Sequence, residues 1–474
     1  MKNKVEVSFI VIFIFCLSFL YSQQLKDVEI TIYNQNIGLV KEKRELELKK
    51  GVQEVKIVDV AAQIEPTSVH FKSLTAPKDC VVLEQNFDYD LISQSKLLEK
   101  YIDKEIELKE YIEENNKQVE KTKKGILLSI RDGKVVKIGD KIYLNPSESI
   151  VLPELPEGLI TKPTLSWLVS NNKEGTHLVE ISYLTNGINW DANYVLVVDR
   201  EDKSLEITGW VTIDNNSGAT YKNAKLKLVA GDIHRVKPEY AVRRDVLYKA
   251  AFAETAQPQF KEEEFFEYHI YTLQRRTDIK DNEKKQIEFV QASNVAVKKL
   301  YIYDGAKFSW TSRVSTADDL YTEKCNKKVW VILEFKNSKE NNLGIPLPKG
   351  KIRVYKKDEE EMLQFIGEDQ IDHTPKDEVV RVYVGNAFDI VGERKLLDKK
   401  VGNNWSELSI EIRIRNKKKE NINIKVVEHH FTENWKVLES SHKYEKVSAD
   451  TMEFNIDVAK EKEEVINYKV KYWW

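Results

Sequence analysis

Apolar side chains recur at every second position over most of this chain, and no other feature constrains its fold as tightly. Val28, Ile30 and Ile32 alternate with polar neighbours. So do Leu408, Ile410, Ile412 and Ile414, then Ile422, Ile424 and Val426, and finally Ile466, Tyr468, Val470, Tyr472 and Trp474. Successive side chains of a strand point to opposite faces, so this spacing makes one buried and one wetted face. Trp190, Ala192, Tyr194, Leu196 and Val198 repeat it after the turn Asn186-Gly187, as do Val329, Val331, Leu333 and Phe335. Between Leu46-Leu48 and Val55-Ile57, Lys50-Gly51 reads as a hairpin turn. The sharpest hairpin signal is Arg131-Asp132-Gly133-Lys134, between Ile126–Ile130 and Val135–Ile138, because Asp-Gly takes the positive φ of a tight turn. Helical spacing joins Leu97, Leu98, Tyr101 and Ile102, which predicts a short helix within Leu91–Tyr101. No strand–helix–strand rhythm occurs, which argues against a parallel sheet with crossover helices. The expected class is all-β: tandem antiparallel β-sandwich-like domains with few short helices.

Residues 1–22 break the pattern. Lys2 and Lys4 precede a nearly unbroken apolar run from Val7 to Leu20, and Ser22 supplies a small residue at its exit. These are the parts of a cleavable secretory signal. The run is short for a bilayer span, which weighs against the competing reading of an uncleaved anchor. Cys16 follows Phe13-Ile14-Phe15 instead of small residues, which argues against lipid attachment. The mature protein is therefore expected outside the cytoplasm, whether periplasmic, cell-surface or released, with no integral membrane segment after cleavage. Expected domains are 23–160, an N-terminal β domain whose charged stretch Lys117–Lys124 edges a hairpin, then 161–310, a middle sandwich, and 311–474, a C-terminal sandwich. Pro153, Pro156 and Pro163 mark the first boundary, and Lys237–Glu264 reads as an exposed loop.

Charge and cysteine content narrow the classes. With 74 basic and 77 acidic residues the net charge is −3, which leaves no basic field to attract nucleic acid or anionic lipid. Beyond the leader only Cys80 and Cys325 remain, too few for a disulfide scaffold. One long-range bridge and two free thiols are both open.

The densest group of potential ligands is Gly367–Glu378. Glu368, Asp369, Asp372, Asp377 and Glu378 are candidate oxygen donors for a cation such as Ca²⁺, and Asp372 with His373 is a candidate acid–base pair. Their spacing matches no calcium loop. The plainer reading is a polar connection between strands ending at Phe365 and starting at Val379. His429 and His430 are adjacent, so on a strand they face opposite ways and one is expected buried. His234 has no evident partner. No Gly-x-Ser-x-Gly elbow, His-Glu-x-x-His helix or phosphate-binding glycine loop occurs, nothing selects a carboxylate pair for glycan hydrolysis, and nothing calls for a cofactor. Trp190, Trp330 and Trp474 lie in strand patterns and are expected in cores. The closing aromatic strand would also suit an outer-membrane barrel, but Lys225-Leu226-Lys227-Leu228 typifies strands too charged for a lipid-facing stripe.

A family resemblance joins these observations. Its pieces include Leu165-Ser166-Trp167, Asn189-Trp190-Asp191-Ala192-Asn193-Tyr194, Gly209-Trp210-Val211, Leu228-Val229-Ala230-Gly231-Asp232, Pro346-Leu347-Pro348-Lys349-Gly350 and Phe365-Ile366-Gly367-Glu368-Asp369. In that order the chain resembles a family of bacterial secreted proteins of unknown function (domain of unknown function 4139), which includes the mucoidy-inhibitor-like proteins. The likeness runs over roughly 26–474, implies β-sandwich architecture and an extracytoplasmic location, and carries over no catalytic residue. Many mucoidy-inhibitor-like members have a long coiled coil where this chain has the short, strand-like stretch Leu91–Leu144. Two function classes follow. The leading one is a non-enzymatic binding or scaffolding protein of the cell envelope, with a protein or glycan partner. The other is an extracytoplasmic hydrolase acting on glycan or peptide.

Overall fold

The computed structural model describes residues 23–88, 90, 92–114, 117–156, 158–231, 259–265, 267–306 and 325–474. The expected export signal at 1–22, His234 and most of the expected 237–264 loop lie outside these residues. The described residues are 66% strand and 3% helix, which makes the fold all-β, and the chain divides into two compact units. The first comprises 1–189, 214–227 and 275–284, and the second 190–213, 228–274 and 285–474.

In the first unit β1 (Gln23–Tyr33) and β2 (Ile37–Leu48) form an antiparallel hairpin, with Asn36 at φ 57° in its turn. The chain continues through β3 (Gly51–Val58), β4 (His70–Ser73), β5 (Cys80–Asp88) and the helix α1 (Gln94–Lys100). It then forms β6 (Glu105–Glu114), β7 (Lys117–Ser129), β8 (Val135–Ile138), β9 (Lys141–Leu144), β10 (Ser149–Val151), β11 (Thr164–Asn171) and β12 (Gly175–Asn186). The expected β2–β3 hairpin is absent. Both edges of β2 are taken by β1 and β12, so Gly51, at φ 107°, hands the chain to another sheet, where β3 pairs with β11. That sheet runs β3–β11–β5, and Phe71 of β4 meets its buried Trp167 edge-on at 4.9 Å. A separate sheet runs β10–β6–β7–β8–β9. Its small core joins Ile106, Leu108, Leu127 and Val136 to Leu98 and Tyr101, which the helix and its C-cap supply as expected. Asp132 and Gly133 take positive φ, 54° and 127°, and close the predicted β7–β8 hairpin.

The second unit starts within β13 (Ile188–Val198) and holds most of β14 (Ser204–Asn215). Then come β15 (Tyr221–Ala230), most of which lies in the first unit, β16 (Phe260–Phe265), β17 (Tyr268–Leu273), β18 (Thr277–Ile279), also in the first unit, and β19 (Glu283–Asp304). After these follow β20 (Lys328–Lys336), β21 (Gly350–Lys357), β22 (Leu363–Ile371), β23 (Val379–Val401) and β24 (Trp405–Asn416). The chain ends with β25 (Ile422–His429), β26 (Trp435–Ser440), β27 (Tyr444–Lys446), β28 (Thr451–Val458) and β29 (Glu463–Trp473). One sheet orders β22–β21–β13–β14–β19–β20–β23–β24–β29–β26, with β25 on β19 and β28.

Three expectations need correction here. Phe260 is buried and β16 pairs with β17, so the described end of the 237–264 stretch is a strand. The sheets are not purely antiparallel: β13 runs parallel to β21 and β19 to β25, which their long intervening connections permit. Trp190 and Trp330 are buried, but Trp474 is 61% exposed because pairing on β29 stops at Trp473. The apolar face of β29 lies in a protein core. Ile466, Tyr468, Val470 and Tyr472 pack with Ile410, Ile412, Ile424 and Phe454.

Candidate functional site

The acid-rich stretch does not form one loop. Glu368 and Asp369 lie on β22, while Asp372, His373, Asp377 and Glu378 lie in the connection to β23. Glu368 stands 3.6 Å from both Lys351 and Arg353. Asp369 accepts a 2.7 Å bond from the Tyr383 N–H. Asp372 and His373 both meet Lys349, the carboxylate at 3.6 Å from Nζ and His373 Nδ1 accepting the Lys349 backbone N–H at 3.2 Å. Asp377 sits at φ 67°, and its N–H and the Glu378 carbonyl bracket Asn337 through bonds of 2.6 and 2.8 Å. No group of three or more His, Cys, Asp or Glu side chains able to hold a metal occurs among the described residues.

A tighter polar cluster lies around the end of β25. Along its inward face the apolar series Ile422, Ile424, Val426 ends on Glu428. Arg394 of β23, also buried, donates from Nε to both Glu428 carboxylate oxygens at 3.0 Å, and the buried Tyr468 hydroxyl donates to the same carboxylate. Burial by itself disfavours the charge of Arg394, but the Glu428 carboxylate more than offsets this and holds the guanidinium protonated. Burial and the same carboxylate push the Tyr468 phenol far above its ordinary range. Cys325 Sγ accepts the Arg394 backbone N–H at 3.4 Å, and Cys80 and Cys325 are both free thiols.

His429 and His430 face opposite ways, as adjacent strand residues must. His430 is buried, stacked on Trp435 at 3.9 Å between ring centres, and its Nδ1 lies 2.8 Å from the Tyr472 hydroxyl. Burial, with the Arg394 charge nearby, lowers its pKa to about 3, so it is a neutral packing residue. His429 is part of a relay: its Nε2 lies 2.8 Å from Oδ2 of the buried Asp304, and its Nδ1 lies 3.3 Å from the Thr451 hydroxyl. Thr451 is the direct cross-strand partner of His429, so the β25–β28 register creates this contact. Neither Asp304 nor Thr451 stood out in the sequence, because the pairing that brings them to His429 spans distant strands.

Aromatic residues gather on the outer face at the far end of β24 and β29. Trp405 and Trp473 are register partners, and side chains opposite each other across an antiparallel pair share a face. Trp405 is half-buried and Trp473 is 42% exposed. The turn leading into β24 closes through Gly402 N–H donating to the Trp405 carbonyl at 2.8 Å. A Cβ on Gly402 would come within 2.3 Å of Trp405 Nε1, so the indole lies directly over that glycine. Lys471 Nζ stands 4.5 Å from the Trp405 ring centre and 3.2 Å from Glu407. Trp473 and Trp474 N–H groups donate to the Asn434 and Asn404 carbonyls at 3.3 and 3.2 Å, which secures the chain end.

No curated protein matches the chain. Residues 179–474 match the family described as Domain of unknown function (DUF4139), which takes in all of the strands that build the Arg394 cluster, the His429 relay and the tryptophan face. As that match covers more than half of the 474 residues, the chain belongs to the DUF4139 family.

Proposed function

We propose that this chain is an exported cell-envelope protein of mucoidy-inhibitor-like type that works by binding a partner, not by catalysis. Its signal-like leader supports export. The single observation that carries the binding reading is the outer tryptophan face: Trp473 and Trp474 keep large aromatic surface in water at the end of a well-paired strand. Large apolar groups left exposed on an otherwise charged surface mark interaction sites. Glu368, Asp369 and Asp372, in contrast, meet Lys349, Lys351, Arg353 and the Tyr383 backbone. Pull-down from envelope extracts with the mature chain should recover a protein or glycan partner reproducibly. Repeated failure, alongside turnover of a cell-wall substrate by the same preparation, would overturn the proposal.

The Asp304–His429–Thr451 relay favours a second reading, an extracytoplasmic hydrolase of acyl bonds such as those of peptides. Under it, Thr451 Oγ1 attacks the carbonyl carbon, His429 takes the hydroxyl proton and passes it to the departing group, Asp304 stabilises the imidazolium, and a water deprotonated by His429 then cleaves the acyl–Thr451 ester and restores the hydroxyl. Hydrolysis lost in Thr451→Ala but kept in Asp372→Asn and His373→Ala would support it. Hydrolysis unchanged in Thr451→Ala, or none from the wild type, would remove it.

A further inference from the structure

We infer that Trp405 and Trp473 form a stacking platform for a glycan chain, an inference that rests on the binding reading above and names its ligand class. Two indoles on facing positions of neighbouring strands share the outer face of the sheet, where register sets them next to each other. Pyranose rings carry apolar C–H faces ringed by hydroxyls, so they complement separate aromatic surfaces set among polar groups. The surroundings fit that ligand better than a protein partner. Glu407, Lys469 and Lys471 form ion pairs beside the tryptophans, and Lys436 is the cross-strand neighbour of Lys471. The centre of a protein–protein interface is depleted of such charges, whereas sugar hydroxyls can both donate to Glu407 and accept from the lysines.

The platform is also positioned in advance. Gly402 leaves room for the Trp405 indole and for nothing larger beneath it. The chain end is held by the Trp473 and Trp474 backbone bonds to Asn434 and Asn404. Lys471 covers one face of the half-buried Trp405, but its long stem is flexible and a single ammonium–ring contact is weak. A sugar ring can therefore take its place, and the displaced ammonium can donate to a hydroxyl.

Titration of the full mature chain with chitohexaose and cellohexaose, followed by tryptophan fluorescence and calorimetry, tests this. The expected result is saturable binding to at least one of the two, weakened about tenfold or more in Trp473→Ala and abolished in Trp405→Ala/Trp473→Ala. Trp473 is already partly in water, so its single variant keeps the test valid if the double variant fails to fold. Binding of neither hexasaccharide, or binding unchanged in Trp473→Ala, would overturn the inference. If the envelope pull-down still succeeds with Trp473→Ala while sugar binding is absent, the platform is wrong and the binding reading stands. If both fail in the wild type, the binding reading falls as well.

Discussion

Arg394 and Glu428 occupy positions that the alternation along β23 and β25 reserves for apolar side chains. The same substitution of a charged pair for apolar residues occurs in the first unit. There Glu42 and Arg44 lie buried on β2 between Val40 and Leu46, and Glu42 accepts from Arg44 Nε at 2.8 Å and from the Tyr183 hydroxyl at 3.3 Å. Buried ions are tolerated only when paired and bonded. Glu428→Ala leaves a guanidinium buried without its counter-ion, so denaturant unfolding should show a loss of about 3–5 kcal/mol. Arg394→Met with Glu428→Leu should recover most of that loss, since no charge is then stranded. His430 gives a pH signature. Its folded pKa of about 3 lies below the ordinary histidine value of 6.5, so the unfolded chain binds a proton that the folded chain refuses. The stability from its neutral form is thus present above pH 6.5 and drains as pH falls from there toward 3. Unfolding free energy should decline by at most about 1.4 kcal/mol per pH unit from this group, and His430→Phe should remove that component of the slope. Little of this was legible beforehand. Facing of His429 and His430 followed from strand geometry, but which of them is buried, and against what, depends on Trp435 and Tyr472.

At the scale of elements, local sequence signals decide the structure wherever the element closes on itself. Ser93 caps α1 by accepting the Lys96 N–H at 3.2 Å, and Leu98 and Tyr101 face the small core, as their spacing predicts. The Asp132-Gly133 turn also follows from local chemistry. Gly133→Ala should lower the melting temperature, with a cost of about 1 kcal/mol or more, for two separable reasons. The backbone there holds φ 127°, and an added Cβ would meet Asn145 Oδ1 at 2.4 Å, the acceptor of the Lys134 N–H. Asn145→Ala should lose part of the same stability, through the missing acceptor alone. The Lys50-Gly51 turn shows where such signals stop. Its residues are suitable for a hairpin, yet β2 already has a partner on each edge, so the turn serves as a crossing between sheets.

For the whole molecule, scarcity of cysteine means that β cores must carry the stability of a chain read as exported. Cys80 and Cys325 are free, so two thiols should titrate in denaturant after removal of the leader, and reductant should leave the melting temperature unchanged. A titration of zero thiols would contradict the structure. Amino-acid order alone determined the class of this protein, the buried face of most strands, the helix and the Asp-Gly hairpin. Each of these depends on neighbours within a few residues, and apolar burial follows side-chain spacing directly. Strand partners, the two parallel pairings, the buried ion pairs and the Trp405–Trp473 face were decided by tertiary structure. Every strand offers the same backbone donors and acceptors, so pairing and register are selected by long-range packing, which no local pattern encodes.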